Sequence, residues 1–483
     1  ILYNKDKTAY RHVAGLLVGE FRVGSNIKEI GANAFENQIA LTKLIIPASV
    51  EVIGNNAFKG CILLETVVFE HSETKANQFA AGLTSQTKST SIFEGCYDLK
   101  NVTLPANMQV IPNSMFKYCY SLASIELPSG LVTIGTYAFA ETGLVSVTIP
   151  SSVTTIDTNA FAGPRTFGKL ESVTFAKKAD GKYSLTKING SAFKYQKLKS
   201  VSIPSSVTTL GTNAFSDNPE LTTAVFEGNL ATIPASLFTN CVKLTSITFP
   251  ASIAQIGEYA FDGCTKLTSV TITAGGTEEL KIGQYAFLNS GLTAFAVPAR
   301  TSVINQYAFD GCSQLATLTI PEDTVKLTLG KGVFRNCAAL TSVALPDVVT
   351  ALPDYAFNGC KKLASVTANK LTTIGNSAFS GCSALTAIAL PETVTSIGAD
   401  AFLNAGLTSF TVPKGCTEIG ANVFGGCRHL ATYAVADGNT AFTTFKVTQT
   451  ETLLLRVGAD DAPSTIIAAP GLLTGTATLP EDC

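Results

Sequence analysis

Apolar and polar positions recur along this chain at a fixed spacing, and phenylalanine marks the period. Phe35, Phe58, Phe93, Phe116, Phe139, Phe161, Phe193, Phe215, Phe238, Phe261, Phe287, Phe309, Phe334, Phe357, Phe379, Phe402 and Phe424 form seventeen anchors. Twelve of the sixteen intervals are 22 or 23 residues, and the others, of 35, 26, 32 and 25, read as insertions within a repeat. Each repeat follows I-G-x-x-A-F-x-x-C-x-x-L-x-x-V-x-I-P. The segment L-x-x-V-x-I, as in "LTSVTI" at 267–272, alternates apolar with polar residues and is rich in β-branched types, which predicts a strand. Proline often follows and belongs at a strand's end, because it cannot donate to a ladder. Five residues before the Phe stands Ile or Leu in sixteen of seventeen repeats, and Gly comes next in ten, a turn position. The A-F-x-x-C segment then predicts a short helical or 3₁₀ turn. One such coil cannot bury its apolar side alone, so the coils must stack, with their strands parallel at ~4.8 Å. The pattern therefore predicts a solenoid of about 17 coils.

That repetition overrides the length of 483 residues, which alone would suggest about three domains of ~150 residues. Charged residues make up 14% and the net charge is −2, so no basic field attracts nucleic acid or anionic lipid. No apolar run approaches the ~18 residues of a membrane-spanning helix. The chain opens on Ile1 without Met, which reads as a mature or trimmed form; any leader or lipid anchor would lie upstream.

Ten of the twelve cysteines (Cys61, Cys96, Cys119, Cys241, Cys264, Cys312, Cys337, Cys360, Cys382 and Cys427) share one register position, three after the Phe. The other repeats place Gln, Thr, Pro, Asn, Ser or Ala there, which fits a confined site for a small side chain near backbone amides. Metal ligands would cluster as close pairs in a loop. A nucleophile needs a base, and His12, His71 and His429 cannot serve ten sites. The favoured reading is a buried structural thiol, with inter-coil disulfides as the alternative. Cys416 and Cys483 fall outside the register. No G-x-S-x-G elbow, H-E-x-x-H pair or phosphate loop is present. The sequence thus offers no catalytic residue, cofactor site or metal site; the acidic pairs Glu278/Glu279 and Glu322/Asp323 lack the spaced oxygens of a calcium loop.

The copies "IGEYAFDGCTKLTSVTI" and "IGNSAFSGCSALTAIALPETVTSIGADAF" resemble the BspA-like leucine-rich repeats of bacterial surface proteins. The resemblance implies a leucine-rich-repeat solenoid, a curved array with its parallel sheet on the concave face and short helical turns opposite. It also implies an N-terminal hairpin cap over 1–29, opened by "LYNKDKTAY", the repeat array over 30–432 and a β-rich C-terminal cap over 433–483. Export to the cell surface is implied too, with outer-membrane lipoprotein attachment as one mode. The implied function is adhesion to host matrix proteins or other cells, without chemistry. A spacer that presents a partner domain and a glycan-binding protein are the alternatives.

Two surfaces could carry binding. The outward positions of the strands give a stripe of hydroxyls and methyls, including Ser146, Thr148, Ser172, Thr174, Ser246, Thr248, Ser269, Thr271, Thr317 and Thr319. Ser/Thr ladders suit a stacked sheet in any case. The stripe lacks the Tyr, Trp and Arg anchors that dominate tight interfaces. The insertions are the other candidates, since loops on a rigid scaffold often carry function. They hold His71 and Lys75 in 71–90, and Lys177, Lys178 and Tyr183 in "KKADGKY", whose ADG also reads as a plain hairpin turn.

Overall fold

A computed structural model describes residues 1–70, 91–446, 452–457 and 463–468. The chain divides into two compact units. One comprises Ile1–Leu230 with Pro234–Leu244, the other Ala231–Ile233 with Thr245–Cys483. Both are β-solenoids, and most coils carry two strand segments rather than one.

The L-x-x-V-x-I segments form the longer strands. In the first unit Gly19–Arg22, Leu41–Ile46, Thr66–Phe69 and Asn101–Thr103 pair in parallel, as do Ser146–Ile149 with Ser172–Phe175 and Ser200–Ile203 with Thr223–Phe226. In the second, Ser246–Phe249 pairs with Ser269–Ile272, Ala294–Ala296 with Thr317–Thr319, Ser342–Leu345 with Ser365–Ala368, and Ser409–Val412 with Thr432–Val435. Apart from a shift at Gly19/Glu20, residues of equal register face one another, as in Val147↔Val173, so inward apolar side chains meet inward ones. Two coils depart from the expectation. Around Ser124–Leu127 and Thr386–Leu390 the same pattern forms no strand. Their outward positions include Glu126, Ala387 and Ala389, types depleted from strands, although Ala294–Ala296 keeps its pairing.

A second, shorter ladder runs through the Ile of the I-G pair. Val110–Ile111, Thr133–Ile134, Thr155–Ile156, Lys187–Ile188 and Thr209–Leu210 stack in parallel in the first unit. Ala351–Leu352, Thr373–Ile374, Ser396–Ile397 and Glu418–Ile419 do so in the second. The glycine after this Ile serves close approach of coils rather than a left-handed turn. A Cβ on Gly283 would lie 2.7 Å from the carbonyl carbon of Gly257, closer than any side chain tolerates.

The A-F-x-x-C segments are not helical, and the described residues contain no helix. In each coil the residue two before the Phe has positive φ, from Asn33 (56°) to Asn422 (54°). Most coils add a second left-handed residue two after it, such as Asn37 (60°) or Gly263 (71°). Left-handed residues interrupt helix propagation and turn alternate N–H groups along the stack. The amides of Asn33, Phe35 and Asn37 therefore donate to Asn55, Ala57 and Lys59 of the next coil at 2.8–2.9 Å, while those of Ala34 and Glu36 close turns within their own coil. The segment is a third inter-coil ladder. Asn, Gly, Asp, Ser and Tyr occupy most of its left-handed positions, and the first two tolerate that conformation best.

Phenylalanine fills the core. Successive anchors stack at 4.9–6.0 Å between centroids in the first unit, the planes of Phe161, Phe193 and Phe215 lying within 2° of their neighbours. Phe261 to Phe424 stack likewise in the second. At the N-terminal end Leu2–Tyr3 pairs antiparallel with Ala9–His12, which in turn starts the short ladder by pairing in parallel with Glu29–Ile30. At the other end Phe442–Lys446, Thr452–Val457 and Pro463–Ala468 form an antiparallel three-stranded sheet.

Candidate functional site

The cysteine column shows where chemistry does not sit. All eleven described cysteines are buried free thiols. Cys61, Cys96, Cys119 and Cys241 in the first unit each donate to the carbonyl of the preceding coil's Phe at 3.3–3.4 Å. Cys312, Cys337, Cys360, Cys382 and Cys427 do so in the second at 3.0–3.3 Å. In these nine coils the position faces a carbonyl rather than amides and supplies it a donor, whereas Pro164 and Ala405 occupy it in two others without one. Gln196 and Asn218 occupy it without sulfur and send an amide N–H to Phe161 and Phe193 at 2.6 and 2.9 Å. Burial pushes the Cys241, Cys312 and Cys382 thiols up to about 12, so they stay protonated at neutral pH and are poor nucleophiles. Among the described residues no three His, Cys, Asp or Glu side chains converge on a possible metal position.

The outward hydroxyls are exposed and in register. Ser146 and Thr148 face Ser172 and Thr174 across one strand pair of the first unit. In the second, Ser246 and Thr248 face Ser269 and Thr271, while Thr317 and Thr319 face Ala294 and Ala296. Between them Val147, Ile247, Phe295 and Leu318 are buried, and Val173 and Val270 half-buried, which holds each hydroxyl row at the inter-strand spacing.

Of the insertion residues, His71 and Lys75 lie outside the described residues. Lys178 and Lys182 close the expected turn, the Lys178 N–H donating to the Lys182 carbonyl at 2.8 Å. This turn brings its neighbours onto the sheet face. Tyr183 donates its hydroxyl to Glu227 Oε1 at 3.0 Å, Ser202 Oγ donates to the same oxygen at 2.6 Å, and Lys177 Nζ stands 4.0 Å from Glu227 Oε2. Lys177 also caps the Tyr183 ring at 4.9 Å. Partial burial, followed by the Glu227 hydrogen bond, raises the Tyr183 phenol above its usual value. Loop and stripe therefore meet at one polar cluster centred on Glu227, a residue that sequence reasoning passed over because it follows the strand pattern.

A second group was not legible either. Tyr97 and Tyr120, 46% and 47% exposed, stack at 5.3 Å, and Tyr118 lies 6.2 Å from Tyr120. Lys117 Nζ sits over the rings of Tyr118 and Tyr137 at 4.5 and 4.9 Å. These tyrosines occupy three different registers of the repeat, so no linear motif joins them. In the second unit Tyr259, Tyr285 and Tyr307 stack at 4.8 and 5.2 Å. Arg335 caps Tyr307 at 4.8 Å while Asp310 holds it bidentately.

Stacked parallel coils, an internal ladder of like apolar residues and an exposed strand face define a leucine-rich-repeat solenoid. The BspA type leucine rich repeat region matches over residues 28–167, 167–280, 280–370 and 317–431, and the chain belongs to that family. A leucine-rich repeat protein from Bacteroides ovatus ATCC 8483 is 23% identical over 88% of both chains with a TM-score of 0.52, which shows the shared fold. A leucine rich cell surface protein from Faecalibacterium prausnitzii A2-165 is 22% identical over 90% of this chain and 92% of its own, with a TM-score of 0.31. A leucine-rich repeat protein of T. pallidum is 30% identical, covering 41% of this chain and 82% of its own at a TM-score of 0.32. No curated protein matches the sequence significantly.

Proposed function

We propose that this chain is a bacterial cell-surface adhesion protein whose strand face binds extracellular proteins of a host matrix or a neighbouring cell. Membership of the BspA-type family supports a protein-binding repeat protein, and repeats of this family are ordinarily non-enzymatic. The observation that carries the reading is the junction of an in-register hydroxyl face with a loop cluster. Lys177, Tyr183 and Glu227 add charge and an aromatic ring beside rows that otherwise offer only hydroxyls and methyls. A preformed, rigid surface of this kind orders few groups on binding, which lowers the entropic cost of association. Residues 1–29 and 433–483 serve as caps in this reading, supported by the antiparallel strand Leu2–Tyr3 at one end and Phe442–Lys446, Thr452–Val457 and Pro463–Ala468 at the other.

The test is capture of immobilised extracellular matrix proteins by the full chain, alongside a glycan array. Binding to one or more proteins, weakened at least tenfold by Thr271→Arg with unchanged melting, is the expected result. Binding confined to glycans, or turnover of any substrate offered, would replace this reading.

A further inference from the structure

In the first unit the long ladder passes one coil that carries no strand of its own. Asn101–Thr103 ends one sheet and Ser146–Ile149 begins another, and between them Ser124, Ile125, Glu126 and Leu127 enter neither. The N–H groups of these four residues form no backbone hydrogen bond among the described residues. Hollows of about 410 and 540 Å³ flank the segment on its two sides, and Glu126, Leu127 and Ser129 line both. The larger reaches the hydroxyl rows through Ser146 and Thr148. Neither is lined by a Lys or Arg side chain.

Glu126 is exposed and, among the described residues, its carboxylate has no hydrogen bond or ion pair. Other acids on this face are matched. Glu20 pairs with Lys43 at 3.0 Å, Glu70 with Arg22 at 2.7 Å, and Glu227 holds Tyr183 and Ser202. One negative charge thus stands unmatched between two hollows, beside main-chain groups that lack ladder partners.

We propose that this break is a docking site for an extended basic peptide segment, resting on the reading of the strand face as the binding surface. The peptide backbone bonds the free N–H groups of Ser124–Leu127, as strands added to a sheet do. A Lys or Arg of the peptide enters the larger hollow and pairs with Glu126, its polar hydrogens shared with Ser146 and Thr148. Charge complementarity fixes the sign of the partner, and the open ladder fixes its extended conformation.

The test uses fluorescein-labelled decapeptides (Thr-Lys)5, (Thr-Gln)5 and (Thr-Glu)5 with the full chain, read by fluorescence anisotropy. The expected order of affinity is Lys over Gln over Glu, with Glu126→Gln lowering (Thr-Lys)5 affinity about tenfold and Glu65→Gln leaving it unchanged. Thr148→Lys, which supplies the missing cation from within, lowers it similarly. Equal binding of (Thr-Lys)5 to the native chain and Glu126→Gln, no preference over (Thr-Glu)5, or no binding at all overturns the inference. The strand-face reading survives such a result, because it is judged separately on matrix-protein capture by Thr271→Arg.

Discussion

Replacing Cys360 separates two roles that burial alone confounds. Its thiol is fully buried and donates to the Phe334 carbonyl at 3.1 Å, an oxygen that also accepts the Cys337 N–H at 3.3 Å. Cys360→Ala removes one buried heavy atom, comparable to deleting a methylene and worth about 0.5–1.5 kcal/mol. It also removes one of two bonds to a buried carbonyl, a further loss of about 0.5–1.5 kcal/mol. The sum is about 1–3 kcal/mol. Cys360→Ser removes similar volume but keeps a donor, so its cost is lower by about the hydrogen-bond share. Asn218 shows that the column accepts a polar donor, its amide reaching Phe193 O at 2.9 Å. Urea titration followed by far-ultraviolet circular dichroism gives the midpoint shift at constant slope. A change in slope would instead report partial unzipping of the array. If Ser lowers stability as much as Ala or more, the column selects apolar volume and the donor argument fails.

Phe193→Ala should cost about 3–5 kcal/mol, because it opens a cavity between rings stacked at 5.2 and 5.3 Å, and a loss under about 1 kcal/mol in the same titration would refute that packing. Gly283→Ala should cost about 1–3 kcal/mol by forcing a Cβ to 2.7 Å from Gly257, whereas a neutral result would deny the close approach. Stability should also fall with rising pH. Thiols in the unfolded chain ionise near about 8.5, but burial holds Cys241, Cys312 and Cys382 up to about 12. Above the lower value the unfolded state binds fewer protons, so the thiol contribution is intact below about pH 8.5 and declines as pH approaches the folded value. The urea midpoint should therefore drop between pH 7.5 and 10.5, and drop less in a Cys312→Ser/Cys382→Ser variant; equal drops would show that those thiols reach solvent.

Much of the fold was written in spacing. The Phe period and the L-x-x-V-x-I alternation required stacked coils with parallel strands, because each coil repeats one apolar face. The short ladder was hidden because two residues, as in Thr155–Ile156, are too few to show an alternation. The turn was misread as helical because the left-handed position two before the Phe carries Asn, Ser, Tyr or Asp in every coil but that of Gly332, such as Tyr259 at φ 53°, where glycine would have signalled it. The cysteine register was legible, but its partner was not, since sequence does not reveal which way a neighbouring coil's carbonyl points. Outward hydroxyls such as Ser146 and Thr174 followed from the two-residue period. Glu227, Glu126 and the stacked Tyr97 and Tyr120 did not, because residues one or two coils away decide what each one meets.

If in-register strand faces rather than reactive side chains carry the proposed binding, hydrogen exchange measured on the full chain with and without a captured matrix protein will locate it there. Exchange should slow in peptides spanning the faces at Ser146–Phe175 and Ser246–Ile272 and in the 177–183 turn, with the Phe–Cys segments unaffected. Protection confined to the tyrosine-bearing turns, with the strand faces unchanged, would contradict it.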